Sequence, residues 1–205
     1  RSLSAALDAV GQKIRKDLGI QKPKVALVME KILTGDAMIA VARDVVPKLG
    51  MEIVGVWRPS PTTNDMSAEL SAVKSSGAHV ILTLFTGPAG IIFGKQWGEL
   101  EIPAIPIGTN IEAQLLKYWR ATNGKCEYEM VLNPSVRANV GPKTIPIFDK
   151  FVKKTGDYPF YTAMGAYDGV YLLTDAAQRA KSLNSDKVVT ELEKTNYRGV
   201  AGRIV

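Results

Sequence analysis

Apolar residues along the first two thirds of the chain follow two alternating patterns, short continuous runs and longer stretches with helical spacing. The runs Val25–Met29 and Val80–Phe85 have the length of strands that are covered on both faces. Around them, apolar positions recur every three or four residues, as in Leu3–Leu18. This alternation predicts an α/β fold, a parallel sheet with helices on both faces and right-handed crossovers.

Five strands are predicted in this part of the chain, and local signals mark where they and their helices end. Gly108-Thr109-Asn110 is expected to close the fourth strand, and Ile111–Trp119 is expected to form a short helix. The hydroxyl of Thr86 is expected to cap the helix after the third strand. The strands are predicted at Val25–Met29, Glu52–Trp57, Val80–Phe85, Ala104–Ile107 and Cys126–Leu132.

After Asn133 the pattern changes to three helices in succession with no strand between them. The middle one, Tyr161–Ala180, is apolar around much of its circumference, which is typical of a buried helix. Ser185 is expected to cap the third helix, and a turn at Tyr197–Gly202 precedes one more short strand. Because these helices have no sheet of their own, we infer that their sheet is encoded upstream of Arg1.

Candidate ligand contacts follow from the position of polar residues after a buried strand. In an open α/β sheet, ligands bind just beyond the carboxyl ends of the strands. Phe85, Thr86 and Gly87 occupy that place after the third strand. A turn of this kind between a strand and a helix is nevertheless more often purely structural.

Composition and motifs argue against several function classes. The net charge is +6, but the basic residues are scattered and form only doublets, which disfavours a nucleic-acid surface. Cys126 is the single cysteine and His79 the single histidine, so neither a disulfide within the chain nor a zinc cluster is expected. The sequence has no GxSxG, GxxxxGK or HExxH motif. It therefore predicts a protein that is not an enzyme and needs no cofactor or metal.

Several stretches in order resemble the type I solute-binding proteins of branched-chain amino-acid ABC transporters, also called the receptor ligand-binding family. These stretches are KPKVALVMEKILTGDAM, VVPKLGMEIVG, NDMSAELSAVKSSGAHVIL, IPAIPIGTN and GAYDGVYLLTDAA with the closing YRGVAGRIV. In that family two α/β lobes close on a small ligand by hinge motion. The resemblance implies a type I periplasmic-binding-protein fold, with most of the second lobe in residues 1–132, first-lobe helices in 133–196 and a return strand to the second lobe in 197–205.

The resemblance also implies ligand contacts on the loops after the first, third and fourth strands. Amino-acid binders of the family have tyrosines at the first two places and an acidic residue near the third, which pairs with the ligand's ammonium group. Because burying an ammonium without a carboxylate is costly, a neutral or anionic solute, or an aromatic acid stacked on Phe85, is at least as well supported here as a branched-chain amino acid. The implied contacts are Thr34, Phe85, Thr86, Thr109 and Asn110.

The function implied by the resemblance is that of a substrate-binding component of an ABC transporter. It would bind a small amino-acid-like or carboxylate solute between the lobes and deliver it to the permease in the membrane. The alternative is a ligand-sensing domain of a receptor or transcription regulator with the same fold. The implied location is periplasmic or extracellular, with a lipid anchor upstream of Arg1 as one option.

The Tyr167-Asp168 pair is interpreted as structural.

The apolar helices without a sheet lead to a first prediction, for residues 1–205 produced on their own. This chain is expected to self-associate, or to exchange elements with a second copy, because its unpaired helical faces remain apolar. Light scattering and the binding of a hydrophobic dye test the expectation. A clean monomer that binds no dye would contradict it.

Overall fold

A computed structural model of the chain describes residues 3–133 and 135–205. Its internal contacts divide the chain into two compact units, Arg1–Leu132 and Asn133–Val205. We call the first the sheet unit and the second the helical unit, and each is described by itself.

The sheet unit is a parallel α/β sheet, as the sequence predicts. All described pairings in it are parallel, and the strand order is β2-β1-β3-β4-β5. The strands are Lys24–Met29 (β1), Glu52–Trp57 (β2), Val80–Phe85 (β3), Ile105–Asn110 (β4) and Met130–Val131 (β5). The helices are Leu3–Leu18 (α1), Leu33–Lys48 (α2), Ser67–Ser75 (α3), Ala89–Glu99 (α4) and Lys117–Ala121 (α5), with a 3-10 turn at Glu112–Gln114.

Alternating side chains of the central strands build one core on each face of the sheet. Leu27 and Leu82 pack with α1 and α2, whereas Val28 and Phe85 pack with α3 and α4. All six residues of β3 are buried, which explains its unbroken apolar run. Because side chains alternate along a strand, successive residues of the central strands face α1 and α2 or α3 and α4 in turn.

The fourth strand runs three residues further than predicted. Gly108, Thr109 and Asn110 do not form a closing turn; they pair in register with Thr83, Leu84 and Phe85 of β3. Gly108 is needed there because a Cβ at this position would collide with the backbone of Thr83. The glycine that suggested a turn thus permits close packing between two strands.

Other predicted elements are shortened or capped differently. The helix predicted at Ile111–Trp119 is replaced by the 3-10 turn and α5, and the strand predicted at Cys126–Leu132 is reduced to the two residues of β5. Thr86 does not cap α4, which begins after Pro88. The last helix is capped by the side chain of Asn184 rather than by Ser185, through the N–H of Lys187 at 3.2 Å.

The helical unit contains three helices and a short hairpin around a small core. Phe148, Met164 and Val200 form that core. The helices are Thr144–Thr155 (α6), Tyr161–Ala180 (α7) and Ser185–Leu192 (α8), and the hairpin pairs Tyr197–Arg198 (β6) with Arg203–Ile204 (β7) antiparallel. Return of residues 197–205 to the other unit stays a prediction.

Asp168 on α7 fixes the turn of this hairpin. Its carboxylate oxygens accept the N–H of Val200 at 2.9 and 2.8 Å, and one of them also accepts the N–H of Ala201 at 3.3 Å. The hydroxyl of Thr144 donates to the Val200 carbonyl at 2.6 Å. Asp168 is buried, and these contacts agree with its structural interpretation.

Replacing Asp168 by asparagine is expected to destabilise the helical unit. The D168N side chain turns an amide N–H₂ towards backbone donors and should cost about 1–3 kcal/mol of unfolding free energy. Urea unfolding of the complete protein measures the loss. The matched control is D149N, which removes one partner of the exposed Asp149–Arg137 ion pair and should cost less. Equal losses in the two variants would contradict the role assigned to Asp168.

Candidate functional site

The carboxyl ends of β1, β3 and β4 lie side by side at one edge of the sheet, because these strands are parallel neighbours. Backbone hydrogen bonds continue past the strand ends, from the Glu30 N–H to the Leu84 carbonyl at 3.1 Å and from the Ile111 N–H to the Phe85 carbonyl at 3.1 Å. We call the residues that follow or end these strands the strand-end site, namely Glu30, Thr34, Phe85, Thr86, Thr109 and Asn110.

Phe85 is turned away from any solute in this structure. Its side chain is 0% exposed and belongs to the core beneath α3 and α4. The ring lies with its centroid 4.9 Å from that of Phe93 on α4. Because the ring is buried against α4, stacking of an aromatic acid on Phe85 finds no support in this arrangement.

Asn110 is also turned inward, towards α4. It is completely buried, and the two N–H groups of its amide have three acceptors within hydrogen-bond distance, the Gly90 carbonyl at 3.1 Å, Tyr118 Oη at 2.9 Å and Glu129 Oε1 at 2.9 Å. Its Oδ1 lies against Gly90, where a Cβ would collide with it. Every polar atom of this side chain is therefore directed at its own unit.

A buried hydrogen-bonded cluster forms behind Asn110. Tyr118 Oη donates to Glu129 Oε2 at 2.5 Å and lies 3.2 Å from the Gly90 carbonyl. Burial, followed by the charge of Glu129, raises the pKa of Tyr118 well above its usual value. Burial likewise raises the pKa of Glu129, although its bonds to Tyr118 and Asn110 oppose the change. A Cβ at Gly94 would collide with the Tyr118 hydroxyl, so α4 needs glycine there.

Thr34 and Thr109 have different surroundings. Thr34 lies exposed in the first turn of α2 and lines a cavity of about 510 Å³ whose other walls are mostly apolar residues of α1, α2 and β3. Thr109 is half-buried near the end of β4. Its neighbours Gly108 and Asn110 alternate with it along the strand, so Thr109 points away from α4.

Thr86 is the exposed residue of the strand-end site that makes the strongest described contact. Its hydroxyl donates to Glu30 Oε2 at 2.6 Å, and its N–H donates to the same oxygen at 3.0 Å. Glu30 itself is 0% exposed. Its other oxygen, Oε1, has no hydrogen-bond partner among the described residues.

Glu30 was missed by the sequence analysis. A single acidic residue after an apolar strand is usually solvated. Its hydrogen-bond partner Thr86 lies 56 positions further along the chain, so the local sequence does not indicate that Glu30 is buried. The available signal was its place directly after β1, a central strand of the sheet.

Arg58 holds the backbone of the loop that carries Glu30. Its guanidinium donates to the carbonyls of Met29 and Glu30, each at 3.1 Å, and forms an ion pair with Asp36. The Lys31 N–H donates to the Pro59 carbonyl at 2.9 Å. These bonds fix the start of α2 relative to the end of β1.

The polar groups at this edge are threonine hydroxyls and the buried carboxyl group of Glu30. Within residues 3–133 and 135–205, no group of three or more His, Cys, Asp or Glu side chains is placed to hold a metal ion. Of the helices in the described part of the chain, none has the length and apolar character needed to cross a bilayer.

Comparison with protein families finds one match along nearly the whole chain. A family model described as "Periplasmic binding protein" matches residues 2–205. No curated protein sequence matches the chain significantly.

Solved structures with the same fold include three solute-binding proteins. A leucine-binding protein from Thermotoga maritima is 21% identical with a TM-score of 0.76, and 96% of this chain covers 56% of it. A Rhodopseudomonas palustris protein in complex with benzoate is 13% identical with a TM-score of 0.79, and the match covers 98% of this chain and 55% of that protein. A Rhodopseudomonas palustris BisB5 protein in complex with 3,4-dihydroxybenzoic acid is 16% identical with a TM-score of 0.73, and the match covers 99% of this chain and 56% of that protein. The chain thus spans little more than half of these proteins.

The raised pKa of Glu129 predicts how stability depends on pH. The folded state favours the protonated carboxyl group, so this stabilisation is present below the ordinary glutamate pKa and is lost as the pH rises through the higher folded pKa. Glu129→Gln should remove this loss, because an amide can still bond Tyr118 and Asn110. Unfolding free energies measured from pH 4 upwards test this, and identical pH profiles for the two proteins would contradict it.

Proposed function

Because the chain belongs to the periplasmic binding protein family, we propose that it forms part of the substrate-binding component of an ABC transporter. The solute is small and amino-acid-like or a carboxylate, and the bound protein delivers it to a permease in the membrane. Leucine, benzoate and 3,4-dihydroxybenzoate are the compounds named for the three similar structures. The proposed location is periplasmic or extracellular.

In this proposal the sheet unit is the second lobe of a two-lobed protein. The helices of residues 133–196 belong to the first lobe, whose sheet lies outside this chain, and residues 197–205 lead back towards the second lobe. A solute binds in the cleft between the lobes and is enclosed when they close.

The observation that carries the proposal is the strand-end site itself. Threonine hydroxyls and a buried carboxyl group come after adjacent strands at the edge where α/β sheets bind ligands. Such groups orient a small solute by hydrogen bonds, and closure removes water from it. Recognition of this kind is non-covalent and needs no nucleophile or general base.

Thermal unfolding of the complete protein tests the proposed function. The protein is heated with and without amino acids, aromatic acids and other small carboxylates. A compound that binds only the folded state stabilises it by about 2.7 kcal/mol at a hundred times its Kd, which raises the melting temperature. We expect one of these classes to raise it, and no shift with any compound would contradict the proposed function.

A further inference from the structure

We infer that Glu30 fixes the hydroxyl of Thr86 as a hydrogen-bond acceptor, so that the strand-end site selects a solute that presents an N–H, O–H or ammonium group there. This inference rests on the proposed solute-binding function and specifies the chemistry of the solute. It assigns a selectivity role to Glu30, a buried side chain beneath the exposed Thr86.

Both donors of Thr86 are already used within the protein. The hydroxyl proton and the backbone N–H point to the same carboxylate oxygen, at 2.6 and 3.0 Å. In the shorter contact the Thr86 hydroxyl is the donor and Glu30 Oε2 is the acceptor, so the hydroxyl proton is used within the protein. The hydroxyl oxygen then has only lone pairs left for a solute. Neither group of Thr86 remains to donate to an anion.

Glu30 is held in the position from which it accepts the Thr86 hydroxyl proton. It is completely buried, and its backbone N–H is bonded to the Leu84 carbonyl of the neighbouring strand. Arg58 binds the Glu30 carbonyl, and a Cβ at Gly35 would collide with that same oxygen. A charge-assisted hydrogen bond of 2.6 Å between such fixed groups is short and strong.

The charge of Glu30 favours the same class of solute. Arg58 contacts the Glu30 backbone and forms its ion pair with Asp36, and no described ion pair involves the Glu30 carboxylate. Its oxygen Oε1 has no hydrogen-bond partner within residues 3–133 and 135–205. A buried carboxylate without a countercharge attracts a cationic or donor group and repels an anion.

The test uses two pairs of compounds in which one member carries added donor groups, measured by calorimetry on the complete protein. Leucine is compared with 4-methylpentanoate, which lacks the ammonium group, and 3,4-dihydroxybenzoate with benzoate, which lacks the hydroxyls. In the pair that the protein accepts, the donor-bearing member should bind about tenfold more tightly, the size of one hydrogen bond to a charged or polarised group.

Two variants separate the effect of the Thr86 hydroxyl from that of the Glu30 charge, and a third serves as control. T86V removes the hydroxyl and should abolish the preference for the donor-bearing compound. E30Q keeps an amide oxygen for both Thr86 donors but removes the charge, so it should weaken the preference for leucine and leave that for 3,4-dihydroxybenzoate unchanged. T190V is the matched control, since Thr190 is exposed on α8 and its hydroxyl donates to the Asp186 carbonyl within that helix. It should behave as the wild type.

A wild-type preference for benzoate or 4-methylpentanoate, or an undiminished donor preference in T86V, would overturn the inference. NMR without any added compound provides an independent readout, because a Thr86 hydroxyl proton bonded to Glu30 should exchange slowly with water. If none of the four compounds binds the wild type, the proposed solute classes fail. The polarity of Thr86 is still decided, since a rapidly exchanging hydroxyl proton would refute it.

Discussion

Burying the carboxyl group of Glu30 at the end of β1 requires hydrogen bonds in place of water, and the strand-end site is arranged around that requirement. An unsatisfied buried charge costs several kcal/mol, so the donors that satisfy it are fixed as well. Both described donors come from Thr86, just after the neighbouring strand, and reach Oε2, whereas Oε1 has no partner among the described residues. The parallel register of β1 and β3 is what brings these two positions together. One interaction thus links the sheet, the loop held by Arg58 and the exposed residue Thr86.

Side-chain alternation divides the strand-end site into an inner and an outer part. Phe85 and Asn110 point towards α4, where one packs on Phe93 and the other bonds the Tyr118–Glu129 cluster. Both side chains are completely buried in this structure. Thr34 and Thr86 are the exposed threonines of the site, with Glu30 buried beneath Thr86, and the half-buried Thr109 points away from α4. The arrangement therefore offers a small number of directed polar groups on a rigid edge, which suits selective binding.

Much of the fold could be predicted from the sequence because the central strands are fully buried. The apolar run of β3 predicted its bounds without error, and apolar residues at helical spacing did the same for α7. Where a residue has two uses, the pattern was ambiguous, and Gly108 was interpreted as a turn although it serves close strand packing. The place of Glu30 directly after β1 was the only signal for it, and its burial and its contact with Thr86, 56 residues away, could not be predicted from the sequence. An acidic group is therefore present at this edge after β1, although none stands near the third of the implied contact positions.

The most direct test of this account is a crystal structure of the complete protein with the tightest-binding of the four compounds. The account predicts that an N–H or O–H of the solute lies within hydrogen-bond distance of Thr86 Oγ1, while the Thr86 hydroxyl still contacts Glu30. A solute whose carboxylate faces Thr86, or one bound away from the ends of β1, β3 and β4, would contradict this prediction.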